Sequence, residues 1–306
     1  MKMSKSKKQS TTIKGCLQDR IFDGVNTVNM AVMLIVFSWP LWFVLIASIS
    51  DPTYVWSGEV LLLPKGINFE GYKEVFEYSE LWIGYRNTIL YTIIGTIINV
   101  VLTVTAAFPL SQSDFPARKV IFPLLMFTMY FNGGLIPTFL VVQKLHMVNT
   151  FWAMIIPNAV TVFNIIIAKT YFQNSIPNEL REASELDGAS TLKYLTSIVL
   201  PLSKPIIAVI ALYYGVSHWN SFFNALIYIS EAELKPLQLF LRDILISGQM
   251  MMDSMEADPE AAMRAMQLAE TMKYNVIIVS ALPMLCVYPF IQRFFVKGVM
   301  IGAVKG

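Results

Sequence analysis

Six stretches of this chain, at about residues 28–50, 85–110, 119–142, 150–171, 205–230 and 275–295, are dominated by aliphatic and aromatic side chains and contain no Asp or Glu. A helix needs roughly 20 apolar residues to cross a hydrocarbon layer about 30 Å thick, and it satisfies its backbone polar groups internally. Each stretch is long enough. The chain therefore reads as all-α, a polytopic membrane protein with six transmembrane helices. Composition agrees, since 55% hydrophobic and only 14% charged residues exclude a water-soluble domain of 306 residues.

The first stretch follows a basic tail carrying Lys2, Lys5, Lys7, Lys8, Lys14 and Arg20. It is too long for a removable signal peptide and lacks a small-residue cleavage site, so it stays as an anchor. Basic residues near span ends mark the cytoplasmic side. With the amino terminus inside, that side also collects Arg118, Lys119, Lys169, Arg181, Lys193, Lys204, Arg293, Lys297 and Lys305, and both termini are cytoplasmic. The outer segments are then 51–84, a link around Lys144, and 231–274, of which the two long ones are rich in Asp and Glu. This divides the chain into a cytoplasmic basic tail (1–27), a six-helix domain (28–297) with a cytoplasmic loop at 172–204 and an external loop at 231–274, and a cytoplasmic tail (298–306). A net charge of +2 is too small to suggest nucleic acid as a partner, and the basic tail suits anionic lipid. Cys16 falls in the cytoplasmic tail and Cys286 inside the last apolar stretch, so they are not expected to pair, and neither has a metal-type spacing.

Ion-driven transporters place ionisable groups near the bilayer midplane, and none of the six stretches offers a carboxylate. His218, beside Tyr213, Tyr214 and Trp219, reads as a packed, hydrogen-bonded side chain. No HExxH occurs, nor any GxxxxGK[ST] phosphate cradle. The chain is therefore not expected to be an enzyme, and energy for active transport must come from a partner.

The longest cytoplasmic loop, 172–204, is where a partner's energy would enter. Pro177 suits a first helical turn, and Asn178 to Asp187 supplies good helix formers with acidic residues near the positive end of the dipole. Leu180, Ala183 and Leu186 recur every three residues as an apolar stripe, while Glu179, Arg181, Glu182 and Glu185 take the remaining surface. Gly188 suits the left-handed position that ends a helix, Ser190 can cap the next, and Pro201 and Pro205 break the chain as it re-enters the membrane. The expected result is a helical elbow.

Glu182-Ala183-Ser184, then Gly188, then nine residues and Ile198-Val199-Leu200-Pro201, resemble the EAA loop of binding-protein-dependent ABC permeases. Ser184 alone departs, in place of a second alanine. The resemblance implies a cytoplasmic coupling helix docked in an ATPase groove, with Glu182, Ala183, Ser184, Asp187, Gly188, Ile198, Leu200 and Pro201 as coupling residues. It also implies a second homologous permease subunit, two ATP-binding cassette subunits that hold ATP and Mg, an extracellular substrate-binding protein, and no cofactor in this chain. The run from Trp219 to Ala225, Lys235-Pro236-Leu237-Gln238 and Phe295-Val296-Lys297-Gly298 are similar to the carbohydrate-uptake branch. Pro236 to Leu239, Leu241 to Leu245 and the ending Val299 to Gly306 resemble permeases for complex oligosaccharides of Gram-positive bacteria, which places the chain in a bacterial plasma membrane.

Asn99, Asn132, Asn158, Asn164, Asn220 and Asn224 place uncharged hydrogen-bonding groups in or near the spans, and Tyr213, Tyr214 and Trp219 add ring faces. Tyr213, Tyr214, Trp219, Asn220 and Asn224 form the candidate substrate pathway. Packing between membrane helices is the competing explanation for each of them. Outside, Asp258-Pro259-Glu260 is a helix-start signal in a loop that docks a binding protein, caps the pore or serves as a mobile, Met-rich link. Two alternatives remain on sequence alone: a permease for another small solute such as a peptide or osmolyte, and a membrane scaffold that does not transport.

Overall fold

A computed structural model of the chain describes residues 17–253, 272–286 and 289. The amino-terminal lysines, Cys16, the Asp258-Pro259-Glu260 signal, Arg293 and the segment from Phe295 to the carboxy-terminal Gly306 lie outside the described residues. Among the described residues every regular element is helical. The order is α1 (Leu17–Ser48), α2 (Pro52–Trp56), α3 (Glu70–Glu77), α4 (Ser79–Ser111), α5 (Arg118–Tyr130) and α6 (Leu135–Lys144), then 3₁₀ turns at Phe151–Met154 and Ile156–Asn158. There follow α7 (Val162–Ser175), α8 (Asn178–Leu186), α9 (Thr191–Tyr194), a π turn (Leu195–Val199), α10 (Leu200–Leu202), α11 (Lys204–Trp219), α12 (Phe223–Tyr228), α13 (Leu237–Asp253) and α14 (Met272–Cys286).

Among the described residues, α1 and α4 are each long and apolar enough to cross a bilayer unaided. Three other candidate crossings are bent pairs: α5 with α6 by 114°, residues 151–158 with α7 by 55°, and Thr191–Leu202 with α11 by 82°. Hydropathy sees only apolar length, whereas the breaks come from backbone chemistry. Between α5 and α6, Asn132 Oδ1 accepts the Gly134 N–H at 3.1 Å and turns the chain locally. At the 82° bend, Pro205 in the first turn of α11 has no N–H to continue the preceding helix. The fifth apolar stretch also stops at Asn220, whose side chain donates back to the Val216 carbonyl, and resumes as α12.

The central element is α4, which packs along α11, α7 and α13. Around one of its ends Ala107, Phe108, Ala168, Phe172, Val199 and Ile210 form a buried cluster. At that end Gln173 donates to the Ser111 carbonyl at 3.2 Å. Around the other end Asn87 donates to the Glu233 and Lys235 carbonyls, and Thr88 Oγ1 accepts the Leu237 N–H at 2.9 Å. Asn149 clasps residues 228–230 by donating to Tyr228 O (2.8 Å) and accepting from Ser230 N–H (2.6 Å). Residues 111–118 thus gather with 172–204, as chain segments do when helices repeatedly cross and return. α1 stands apart. Residues 17–42 are exposed, although the Trp42 indole donates to the Leu62 carbonyl at 2.9 Å, and packing begins where Phe43, Val44, Ile46 and Ala47 meet Val55, Val60 and Tyr274.

Candidate functional site

The loop between α7 and α11 has the local form its residues dictate. Pro177 adopts an extended conformation (φ −61°, ψ 140°) and stands just ahead of α8 rather than inside its first turn. Gly188 follows the helix at φ +69°, the left-handed region that a Cβ disfavours. Ser190 Oγ accepts the Lys193 N–H at 3.3 Å and so caps α9.

The side of α8 toward its own bundle is narrow. Ser184 is its buried residue, and the hydroxyl donates to the Arg181 carbonyl at 2.8 Å, so it is satisfied within its own helix. Glu182, Ala183, Asp187 and Gly188 are exposed, as is Leu180, and Leu186 is 90% exposed. The apolar stripe therefore faces away from the chain's own core. Ile198 and Leu200 pack against the cluster near Phe108 and Tyr194, whereas Pro201 is exposed.

Arg181 is the link between α8 and the rest. One terminal nitrogen donates to Gln112 Oε1 and Asp114 Oδ1, both at 2.6 Å, and the other to Asp114 Oδ2 at 2.6 Å. Its Nε donates to Glu185 Oε1 at 2.9 Å. Hydrogen bonds from Arg181 hold the Asp114 carboxyl below the usual carboxylate range. By sequence, Arg181 reads only as surface charge on the helix and as one of the basic residues of the cytoplasmic side.

A cavity of about 450 Å³ lies among α4, the 151–158 turns, α7, α11 and α12. Tyr213, Tyr214 and Asn224 line it together with Asn99, Asn158, Asn164, Phe163, Ser217 and His218. The other two pathway candidates lie elsewhere. Trp219, 6% exposed, packs with Leu81, Leu237 and Val276, because successive helical positions diverge by about 100° and His218 takes the cavity side. Asn220 ends α11 as described above. Asn132 sits exposed at the α5–α6 break.

The cavity wall is pinned from behind. Asn99 meets all its neighbours' needs with its oxygen accepting from His218 Nε2–H at 2.9 Å and its nitrogen donating to the Gly95 and Ala159 carbonyls. The Tyr214 hydroxyl lies 2.7 Å from Thr103 Oγ1 and accepts the Thr161 N–H at 3.1 Å. The lining holds amides, hydroxyls and rings but no Asp, Glu, Lys or Arg. It can offer hydrogen bonds and stacking faces to a neutral polar solute. Among the described residues, no group of three His, Cys, Asp or Glu is placed to hold a metal.

The family model for the binding-protein-dependent transport system inner membrane component matches residues 81–301, a span that contains both the elbow and the cavity. The chain belongs to this family. The permease is 36% identical to protein LplC of Bacillus subtilis (strain 168), over 94% of this chain and 96% of that one. It is also 36% identical to the polygalacturonan/rhamnogalacturonan transport system permease protein YtcP of the same strain, over 95% of this chain and 100% of that one. Among solved structures it is similar to a chain of a bacterial ABC transporter involved in the import of the acidic polysaccharide alginate. There the TM-score is 0.82 and the identity 32%, over 92% of this chain and 99% of the other. The all-helical fold is thus that of a transport system's membrane component, not of an enzyme.

Proposed function

We propose that this permease is one membrane subunit of an ATP-driven importer that moves a sugar oligomer across a bacterial plasma membrane by alternating access. α8 is its coupling helix. Six spans place both termini in the cytoplasm, with α1, α4, the bent α5–α6 and 151–175 units, α11–α12 and α14 as the crossings. A second homologous permease completes the pathway, two ATP-binding cassette subunits bind ATP and Mg, and an external binding protein delivers substrate. No cofactor is assigned to this chain.

The observation that carries this reading is the outward apolar stripe of α8, with exposed Glu182 beside it and the left-handed Gly188 at its end. A stripe that its own bundle leaves uncovered, outside the spans, fits a groove on a second protein. The sugar assignment draws on the uncharged amide and aromatic cavity and on polysaccharide transport by the relatives. Closure of the ATPases would move α8 and tilt the attached helices so that the cavity changes the side it faces. The test is ATPase activity of the assembled complex with oligosaccharide-loaded binding protein. Stimulation supports the reading, and hydrolysis indifferent to any oligosaccharide would leave the scaffold alternative standing.

A further inference from the structure

α8 contributes no side chain to the buried hydrophobic clusters of the described residues, and Ser184 is its one buried residue. A helix so weakly held by packing transmits force through whatever directional bonds it makes. Those bonds converge on the short link between α4 and α5. The Arg181 guanidinium grips both oxygens of Asp114 and the Gln112 amide, and Arg118 donates to the Gln112 carbonyl at 3.0 Å from the other side. Gln112 directly follows α4, the helix whose Asn99 lies in the cavity wall.

We propose that the Arg181–Asp114 pair is a latch that passes movement of α8 directly to α4, in parallel with the covalent route through α7 and α9. This rests on α8 being the coupling helix. Two features suit the pair to the task. A bidentate Arg–carboxylate fork fixes orientation as well as distance, so it transmits rotation where a Lys–carboxylate contact would swivel. The fork also approaches α8 from the bundle side, opposite Leu186, so it can hold while the outer face is docked. Arg181 and Asp114 are therefore positioning residues for transport and touch neither ATPase nor substrate.

The test places a reporter cysteine at Ser217 in the cavity, in a Cys16→Ser, Cys286→Ser background, within the complex assembled with its own ATPases and binding protein. Maleimide labelling is compared in membrane vesicles without nucleotide and with ATP plus vanadate. With the latch intact, labelling changes with nucleotide. Arg181→Gln and Asp114→Asn should each shrink that change about tenfold while the ATPases still co-purify, the scale expected for a charge-assisted pair, and the double variant should be no worse than either single one. Arg181→Lys carries the same test should Arg181→Gln fail to accumulate.

Arg181→His adds a readout that a merely structural role would not move. An imidazolium beside Asp114 has a pKa raised above the ordinary value of about 6.5, so the pair forms at pH 6 and is lost by pH 8. Glu185 and Asp114 favour that cation, Arg118 opposes it, and Tyr194 stands nearby. The nucleotide-dependent change should return at pH 6 alone. A change that persists in both single variants, or losses that add in the double variant, overturns the latch. Absence of any change in the unaltered complex overturns the alternating-access reading and the latch with it.

Discussion

Gly95 and His218 share one space: a Cβ at position 95 would stand 2.5 Å from the His218 Nε2. Gly95→Ala must therefore displace a buried ring and break its bond to Asn99. We expect a loss of about 1–3 kcal/mol, the usual cost of overpacking. Gly215→Ala is the control, because the nearest atom to its Cβ would be Thr96 Oγ1 at 3.7 Å. Melting of the purified permease in detergent measures both. Equal melting temperatures for the two variants would remove the close contact from the packing account.

At Gly188 the constraint is conformational, since an added Cβ meets no atom within 4 Å. A branched residue there costs about 1–2 kcal/mol of backbone strain, whereas Asn tolerates the left-handed region. Gly188→Val should insert normally but retain the ATPases poorly, and Gly188→Asn should retain them. Glu182→Ala keeps helix propensity and should lose substrate-stimulated hydrolysis with little change in insertion. Co-purification and ATPase assays separate these outcomes.

The cavity splits the pathway residues into two groups. Tyr213→Ala and Asn224→Ala should slow uptake several-fold with the assembled complex intact, since both side chains line open space. Trp219→Ala instead removes a buried core ring and should cost about 3–5 kcal/mol, read as reduced accumulation of the whole complex. A Trp219→Ala complex that assembles fully yet fails only in uptake would return this residue to the pathway.

The Asp114 carboxyl titrates below its ordinary value of 3.8 because Arg181 hydrogen-bonds its charged form. A depressed carboxylate pKa gives stability that is complete above the unfolded value and is lost as pH falls through the folded one. The difference in melting temperature between the unaltered protein and Asp114→Asn should be constant from pH 8 to about pH 5 and fade below about pH 4. Asp114 is 62% exposed, so the difference should be small and shrink with added salt.

Orientation follows from thiol access. Single cysteines at Ser79 or Asp253, without Cys16 and Cys286, should react with impermeant reagents added outside intact cells, and one at Ser190 should not. The opposite pattern inverts the topology.

Local chemistry made the elbow legible, because Pro177, Gly188 and Ser190 each act within a turn of themselves and the spacing from Glu182 to Pro201 is a signature in one dimension. Apolar length marks candidate crossings but not the bends in them, which depend on one side chain such as Asn132 closing on a neighbouring N–H. What no single-sequence reading reaches is pairing at a distance. Asn99 and His218 were visible as polar groups in apolar stretches, yet 119 positions separate them. Arg181 and Asp114 are 67 apart, and only folding shows that the charge beside the motif points inward. The same blindness to helix face grouped Trp219 with Tyr213.

The exposure of α1 from residue 17 to 42 bears on how the protein is made. A helix that draws almost nothing from its own bundle must be stable by hydropathy alone, before tertiary contacts exist. It can enter the bilayer ahead of its packing partners, tethered later from Trp42 and Phe43 to Ala47. Its sequence is correspondingly free to change, provided it remains apolar and long enough, without unsettling the core that the rest of the chain builds.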